Sequence, residues 1–154
     1  MIKILKLSIF LLFFTGCGFK IVDRSSVNFD IIEIKTKGDK KINYRIKNKL
    51  LANTDTNNLE KITLELETNK TKIVKERNTK NEITKYQVKI TTNVKYNKIT
   101  DNKFINFSLY KSGDFEVASQ YSQTLTNEKK LTNSLVGELI DEIFDKLIFS
   151  INDL

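Results

Sequence analysis

The sequence predicts an α+β protein: a two-layer α/β sandwich in the order β-α-β-β-β-α, with a mixed four-stranded sheet and two helices on one of its faces. Three observations lead there. First, Tyr86, Val88, Ile90, Thr92, Val94 and Tyr96 alternate with Gln87, Lys89, Thr91, Asn93 and Lys95, the period-two pattern of a strand with one dry and one wet face. Second, Leu131, Leu135, Val136, Leu139, Ile140, Ile143, Phe144, Leu147 and Ile148 recur at spacings of three and four, which makes a wide apolar stripe along one long helix. Third, Ile42, Ile46 and Leu50 recur every four residues between lysines and arginine, giving a second, shorter amphipathic helix. A sheet with a single apolar face must bury that face, and two such helices supply the covering layer.

Taken in order, the chain opens with Lys3 and Lys6, an apolar run from Leu7 to Phe14, and then Thr15-Gly16-Cys17. A charged start, a short apolar core and small residues at a cleavage point make a signal peptide. The run is too short to cross a hydrocarbon core, which takes about 20 residues of helix. Cys17 is the sole cysteine and stands where a bacterial lipoprotein is cut and acylated. A lone free thiol would be a liability in an oxidising compartment, which argues against an ordinary secretory signal followed by an incidental cysteine. Triacylation at Cys17 satisfies the requirement for more than one acyl chain in stable anchoring. The expected organisation is residues 1–16 as a removed lipoprotein signal peptide, 17–26 as a lipidated tether and 27–154 as a single sandwich domain. Gly18, rather than an acidic residue, follows the cysteine, which by the sorting rule of enteric bacteria permits export to the outer membrane.

Val27 to Lys35 is rich in β-branched and aromatic residues and reads as the first strand, punctuated by Gly38-Asp39. Asp39 is placed to cap the helix from Lys40 to Leu51. Asn53 to Asn58 reads as a loop, because Asn, Thr and Asp side chains compete for backbone hydrogen bonds. Ile62, Leu64 and Leu66 then alternate with Thr63, Glu65 and Glu67 in a strand. The basic stretch Asn69 to Asn81 reads as the end of that strand and a hairpin tip. After the central strand, Thr100-Asp101-Asn102 turns the chain into a strand from Phe104 to Lys111. Ser112-Gly113-Asp114 is expected to interrupt it as a bulge or turn before Phe115 to Tyr121. Thr126 is expected to cap the final helix, with Glu128 well placed against the helix dipole, and Gly137 to allow a close backbone contact. The first crossover should be right-handed and join parallel strands, and the later strands should be antiparallel.

Composition excludes much. The chain has no histidine, so Ser-His-Asp and Cys-His sites are impossible and the usual zinc ligand sets are missing. Glu65 with Glu67, Glu138 with Glu142, and Asp141 with Asp145 share faces, but paired carboxylates on exposed faces are mostly solubilising surface, so neither enzyme activity nor a cofactor is expected. Of 26 basic and 19 acidic side chains, Lys3 and Lys6 leave with the signal, so 24 face 19 and the mature net charge is about +5. A basic domain outside the cytoplasm meets anionic lipid or acidic protein rather than nucleic acid.

Cys17-Gly18-Phe19 behind the signal, followed by β-α-β-β-β-α, resembles the lipopolysaccharide-assembly lipoprotein family LptE. Lys85-Tyr86-Gln87-Val88-Lys89-Ile90 to Val94 is similar to that family's central strand. Glu116-Val117-Ala118-Ser119 to Tyr121, then Asn127-Glu128 and the long Leu/Ile helix, are similar to its last strand, turn and helix. The likeness spans almost the whole mature chain. It implies an outer-membrane lipoprotein, held on the periplasmic side by its N-terminal lipid, that plugs the β-barrel LptD, helps it assemble and takes part in lipopolysaccharide transport. The partners it implies are an LptD-like barrel and lipopolysaccharide. Lysines Lys70, Lys72, Lys75 and Lys80 with Arg77 cluster around the hairpin, beside Lys85 and Lys89, and lipid A phosphates need such cations. Arg77, Lys75, Lys85 and Lys89 are the candidate lipopolysaccharide-binding residues, Arg77 foremost because its guanidinium can bind bidentately. The alternative is a free-standing outer-membrane lipoprotein that binds or carries an amphiphilic ligand, which requires an apolar cavity.

Overall fold

The computed structural model describes residues 29–54, 60–101 and 104–152. Cys17, the tether and residues 55–59 of the loop lie outside them. Six elements follow in the expected order: β1 (Phe29–Gly38), α1 (Lys40–Leu51), β2 (Glu60–Arg77), β3 (Ile83–Lys98), β4 (Phe104–Glu116) and α2 (Tyr121–Asn152). The strands lie side by side as β1-β2-β3-β4. β1 runs parallel to β2 across the α1 crossover, and the two hairpin-linked pairs are antiparallel. The fold is thus the α+β sandwich read from the sequence.

Alternation explains the layers. Ile62, Leu64 and Leu66 of β2, with Val88, Ile90, Val94 and Tyr96 of β3, turn one way and are buried. They meet Ile42, Ile46 and Leu50 of α1 and the stripe Leu135, Val136, Leu139, Ile140, Ile143, Phe144, Leu147 and Ile148 of α2 in one core. Two buried threonines interrupt the apolar face, and they satisfy each other: the Thr68 and Thr92 hydroxyls lie 3.0 Å apart across β2 and β3. At the far end of α2, Tyr96 Oη and Lys98 Nζ of β3 donate to the carbonyls of Ser150 and Ile151, at 3.4 and 3.3 Å. Helix-end carbonyls lack partners within their own helix, and a cation is favourable there.

The junction of β1 with α1 shows why Gly38 stands where it does. Its φ of +89° suits glycine alone, and a Cβ there would sit 1.9 Å from the Thr68 carbonyl oxygen. That same oxygen accepts the Asp39 N–H at 2.8 Å. Asp39 then caps α1, its Oδ1 accepting from the N–H groups of Lys41 and Ile42, both at 3.0 Å.

Three expectations are corrected. Ser112-Gly113-Asp114 does not break β4, because Gly113 pairs in register with Val88. The missing side chain instead makes room for Leu131, whose Cδ1 would lie 2.7 Å from a Cβ. The last helix begins at Tyr121, not beyond Thr126; Thr126 Oγ1 donates back to the Ser122 carbonyl at 3.0 Å inside it. The basic stretch Asn69 to Asn81 is, as read, the end of a strand and a hairpin tip: β2 runs on to Arg77, and the turn is confined to residues 78–82. There Asn78 Oδ1 accepts the N–H groups of Lys80 and Glu82, and Asn81 takes a φ of 63°. Finally, Gly137 makes no close contact: nothing lies within 4 Å of where its Cβ would be.

Candidate functional site: an open polar sheet face and a basic hairpin

With both helices on one side, the other face of the sheet is uncovered among the described residues. The register stacks its side chains into rows across the four strands. Lys35, Glu65, Lys95 and Asn106 form one row, and Lys37, Glu67, Asn93 and Ser108 the next. Charges alternate along the first row, with Lys95 Nζ 3.8 Å from Glu65 Oε2. The rows line a shallow trough of about 720 Å³. Further along β3 lie Thr91, Lys89 and Gln87, whose Nε2 donates to Asp114 Oδ1 at 3.0 Å. Thr63, Glu65, Gln87, Lys89, Thr91, Asn93 and Lys95, the residues the sequence assigns to the wet face, all share it. Two exposed rings of β4 join them. Phe104 lies 4.2 Å under the Lys95 ammonium, and Tyr110 lies 4.7 Å from that of Lys89.

The basic hairpin is divided by the same alternation. Lys70 and Lys72 point to the helix side, where both ammonium groups donate to Glu128 of α2, at 2.7 and 2.8 Å. Lys72 also stands 4.6 Å over the ring of Tyr86, which stacks on Phe115 with centroids 5.6 Å apart. This group fastens the start of the long helix to the hairpin. Burial pushes the Glu128 carboxyl up, but the hydrogen bonds from Lys70 and Lys72 outweigh it and hold the group below the usual carboxylate range. The Glu128 hydrogen bond in turn raises the Lys72 ammonium.

The four candidate cations are thereby separated from Lys70 and Lys72. Lys85 and Lys89 project with Gln87 from the open side of β3. Lys85 Nζ donates to Glu76 Oε1 at 2.9 Å, which raises its pKa. Lys75 lies 3.8 Å from Asp114. Arg77 Nη1 donates to the Asn81 carbonyl at 2.9 Å, so the guanidinium is held against the turn. Each has a partner within the fold, and each partnership is solvent-exposed and therefore weak. Glu128 went unread as a clamp because residues 56 and 58 positions apart meet only through the tertiary fold. The exposed rings had a visible signal: Phe104, Asn106, Ser108 and Tyr110 follow the wet-face period. Among the described residues no cluster of carboxylates could hold a metal, and no helix is long and apolar enough to cross a membrane.

Comparison with solved structures finds the same arrangement in several proteins described as lipoproteins. Rare lipoprotein B from Shewanella oneidensis matches with a TM-score of 0.52 at 12% identity, covering 79% of this chain and 94% of that one. A candidate lipoprotein from Caulobacter crescentus matches with a TM-score of 0.56 at 13% identity, over 78% and 90%. The uncharacterized lipoprotein B from Nitrosomonas europaea matches with a TM-score of 0.54 at 8% identity, over 78% and 84%. The likeness is one of fold. No protein-family model matches the sequence, and no curated protein reaches significant similarity.

Proposed function

We propose that this chain is a lipoprotein anchored through Cys17 to the periplasmic side of the outer membrane. There it seats its open sheet face inside an LptD-like β-barrel and serves lipopolysaccharide transport as plug and assembly factor. The observation that carries this reading is the composition of the open face. The two side-chain rows along its trough are lysine, glutamate, asparagine and serine, three cations against two carboxylates, although Leu66, Val94 and Phe107 also contribute to the lining. Such a face matches a barrel lumen, which is polar and wet. An amphiphile carrier needs an apolar cavity instead, and here the apolar faces of the sheet and helices are spent on each other.

Lys75, Arg77, Lys85 and Lys89, at the hairpin end of the same side, would take the anionic phosphates of lipopolysaccharide. Their present partners are exposed, so a multivalent anion can displace them. Purification of the lipidated protein from detergent-solubilised outer membrane tests the reading. A large β-barrel should come with it in stoichiometric amount. Its absence, or an unmodified thiol at Cys17 by mass spectrometry, would defeat the proposal.

A further inference from the structure

The two edges of the sheet are unlike. An edge strand offers a row of unpaired backbone groups, and proteins usually guard it with charges, bulges or proline. β1 is guarded: Asp30, Glu33, Lys35 and Lys37 project from it, and its register shifts between Ile31 and Glu33. β4 is not. From Phe104 to Tyr110 it reads Phe-Ile-Asn-Phe-Ser-Leu-Tyr, seven residues with no charge, no proline and no glycine. Its register against β3 runs without a bulge. Low charge, strong β-propensity and an unbroken register mark a segment that pairs with another strand when exposed. The lysines near its rings, Lys89, Lys95 and Lys146, belong to β3 and α2 and not to β4 itself.

We infer that β4 pairs edge to edge with the β4 of a second copy of this chain, antiparallel about a twofold axis, and so extends the sheet across both molecules. Self-complementarity selects this occupant. With the axis at Phe107, Phe104 opposes Tyr110, Ile105 opposes Leu109 and Asn106 opposes Ser108, so rings meet rings, aliphatic meets aliphatic and amide meets hydroxyl. None of these pairs opposes like charges, which would disfavour direct cross-strand pairing, and the pairing is confined to these seven residues because one step further the same register would oppose Lys111 and Lys103. Lys111, the next residue, is occupied by Glu142 at 2.8 Å. The inference does not rest on the barrel reading, since its premises are the edge position and the sequence of β4.

Sedimentation of the full lipidated protein in detergent tests it, with the protein mass followed from low to high concentration. The wild type should double in mass, Ser108→Lys and Asn106→Lys should each stay monomeric, and Ile32→Lys on the opposite edge should dimerise as the wild type does. A wild type that is monomeric throughout overturns the inference, and so does a Ser108→Lys protein that still dimerises. Backbone amide exchange gives a readout that needs no variant. Exchange over Phe104–Tyr110 should slow as wild-type concentration rises, and an unchanged rate overturns the pairing. Slowing that requires an added outer-membrane barrel assigns the edge to another protein's strand and equally overturns it.

Discussion

Replacing Glu128 with glutamine should loosen the hairpin from the long helix and remove a pH dependence. The carboxylate is the common acceptor for Lys70 and Lys72, at 2.7 and 2.8 Å. A hydrogen bond to a charged group contributes about 1.5–3 kcal/mol when shielded and about 0.2–1 kcal/mol when exposed. The Lys72 side chain is 38% exposed and takes the lower value, whereas Lys70 at 25% and Glu128 at 18% lie between the two regimes. The amide of glutamine still accepts one bond, so the expected loss is roughly 1–2 kcal/mol at neutral pH. The sign of the pH dependence follows from the depressed carboxyl. A group whose folded pKa is lowered stabilises the fold above its unfolded pKa, and that contribution disappears as pH falls through the folded value. The gap between wild type and Glu128→Gln should therefore be full at neutral pH and close in acid. Urea unfolding followed by circular dichroism across that range measures it. Equal midpoints at neutral pH, or a gap that persists undiminished into strong acid, would refute the clamp.

Three further outcomes are expected. Gly38→Ala should destabilise by at least about 2 kcal/mol, from the left-handed backbone and the displaced Thr68 carbonyl that accepts the Asp39 N–H, and thermal melting will show it. Gly137→Ala should stabilise by up to about 1 kcal/mol, because the helix gains propensity and the added methyl meets nothing; a lowered melting temperature would contradict the open space seen there. Replacing Arg77, Lys85 and Lys89 together with alanine should weaken binding to anionic lipopolysaccharide vesicles, most at low salt, while leaving the melting temperature nearly unchanged, since their partners are exposed.

The contrast between Lys72 and Lys85 shows what kind of information each level holds. Both are lysines of one basic hairpin, and a linear reading groups them as a single cationic cluster. The sheet sends Lys72 to the helix side, where it shares Glu128 with Lys70, and Lys85 to the open side. Alternation along each strand was legible, but the hairpin's bulge near Glu76 and the identity of the residue beneath each lysine were not. Gly113 makes the same point in the sheet. Glycine reads locally as a break in a strand, whereas here it is the gap into which Leu131 fits.

Periodicity alone determined the order of elements, the dry and wet faces of the central strands and the apolar stripe of the last helix, because these depend on repeats of two and of three to four within a short stretch of chain. The cap at Asp39 was equally local. Only the tertiary structure decided which strand became the unguarded edge, which cations were left on the open face and where the long helix was fastened. Those are contacts between residues tens of positions apart, set by strand order and register, and no local repeat encodes them.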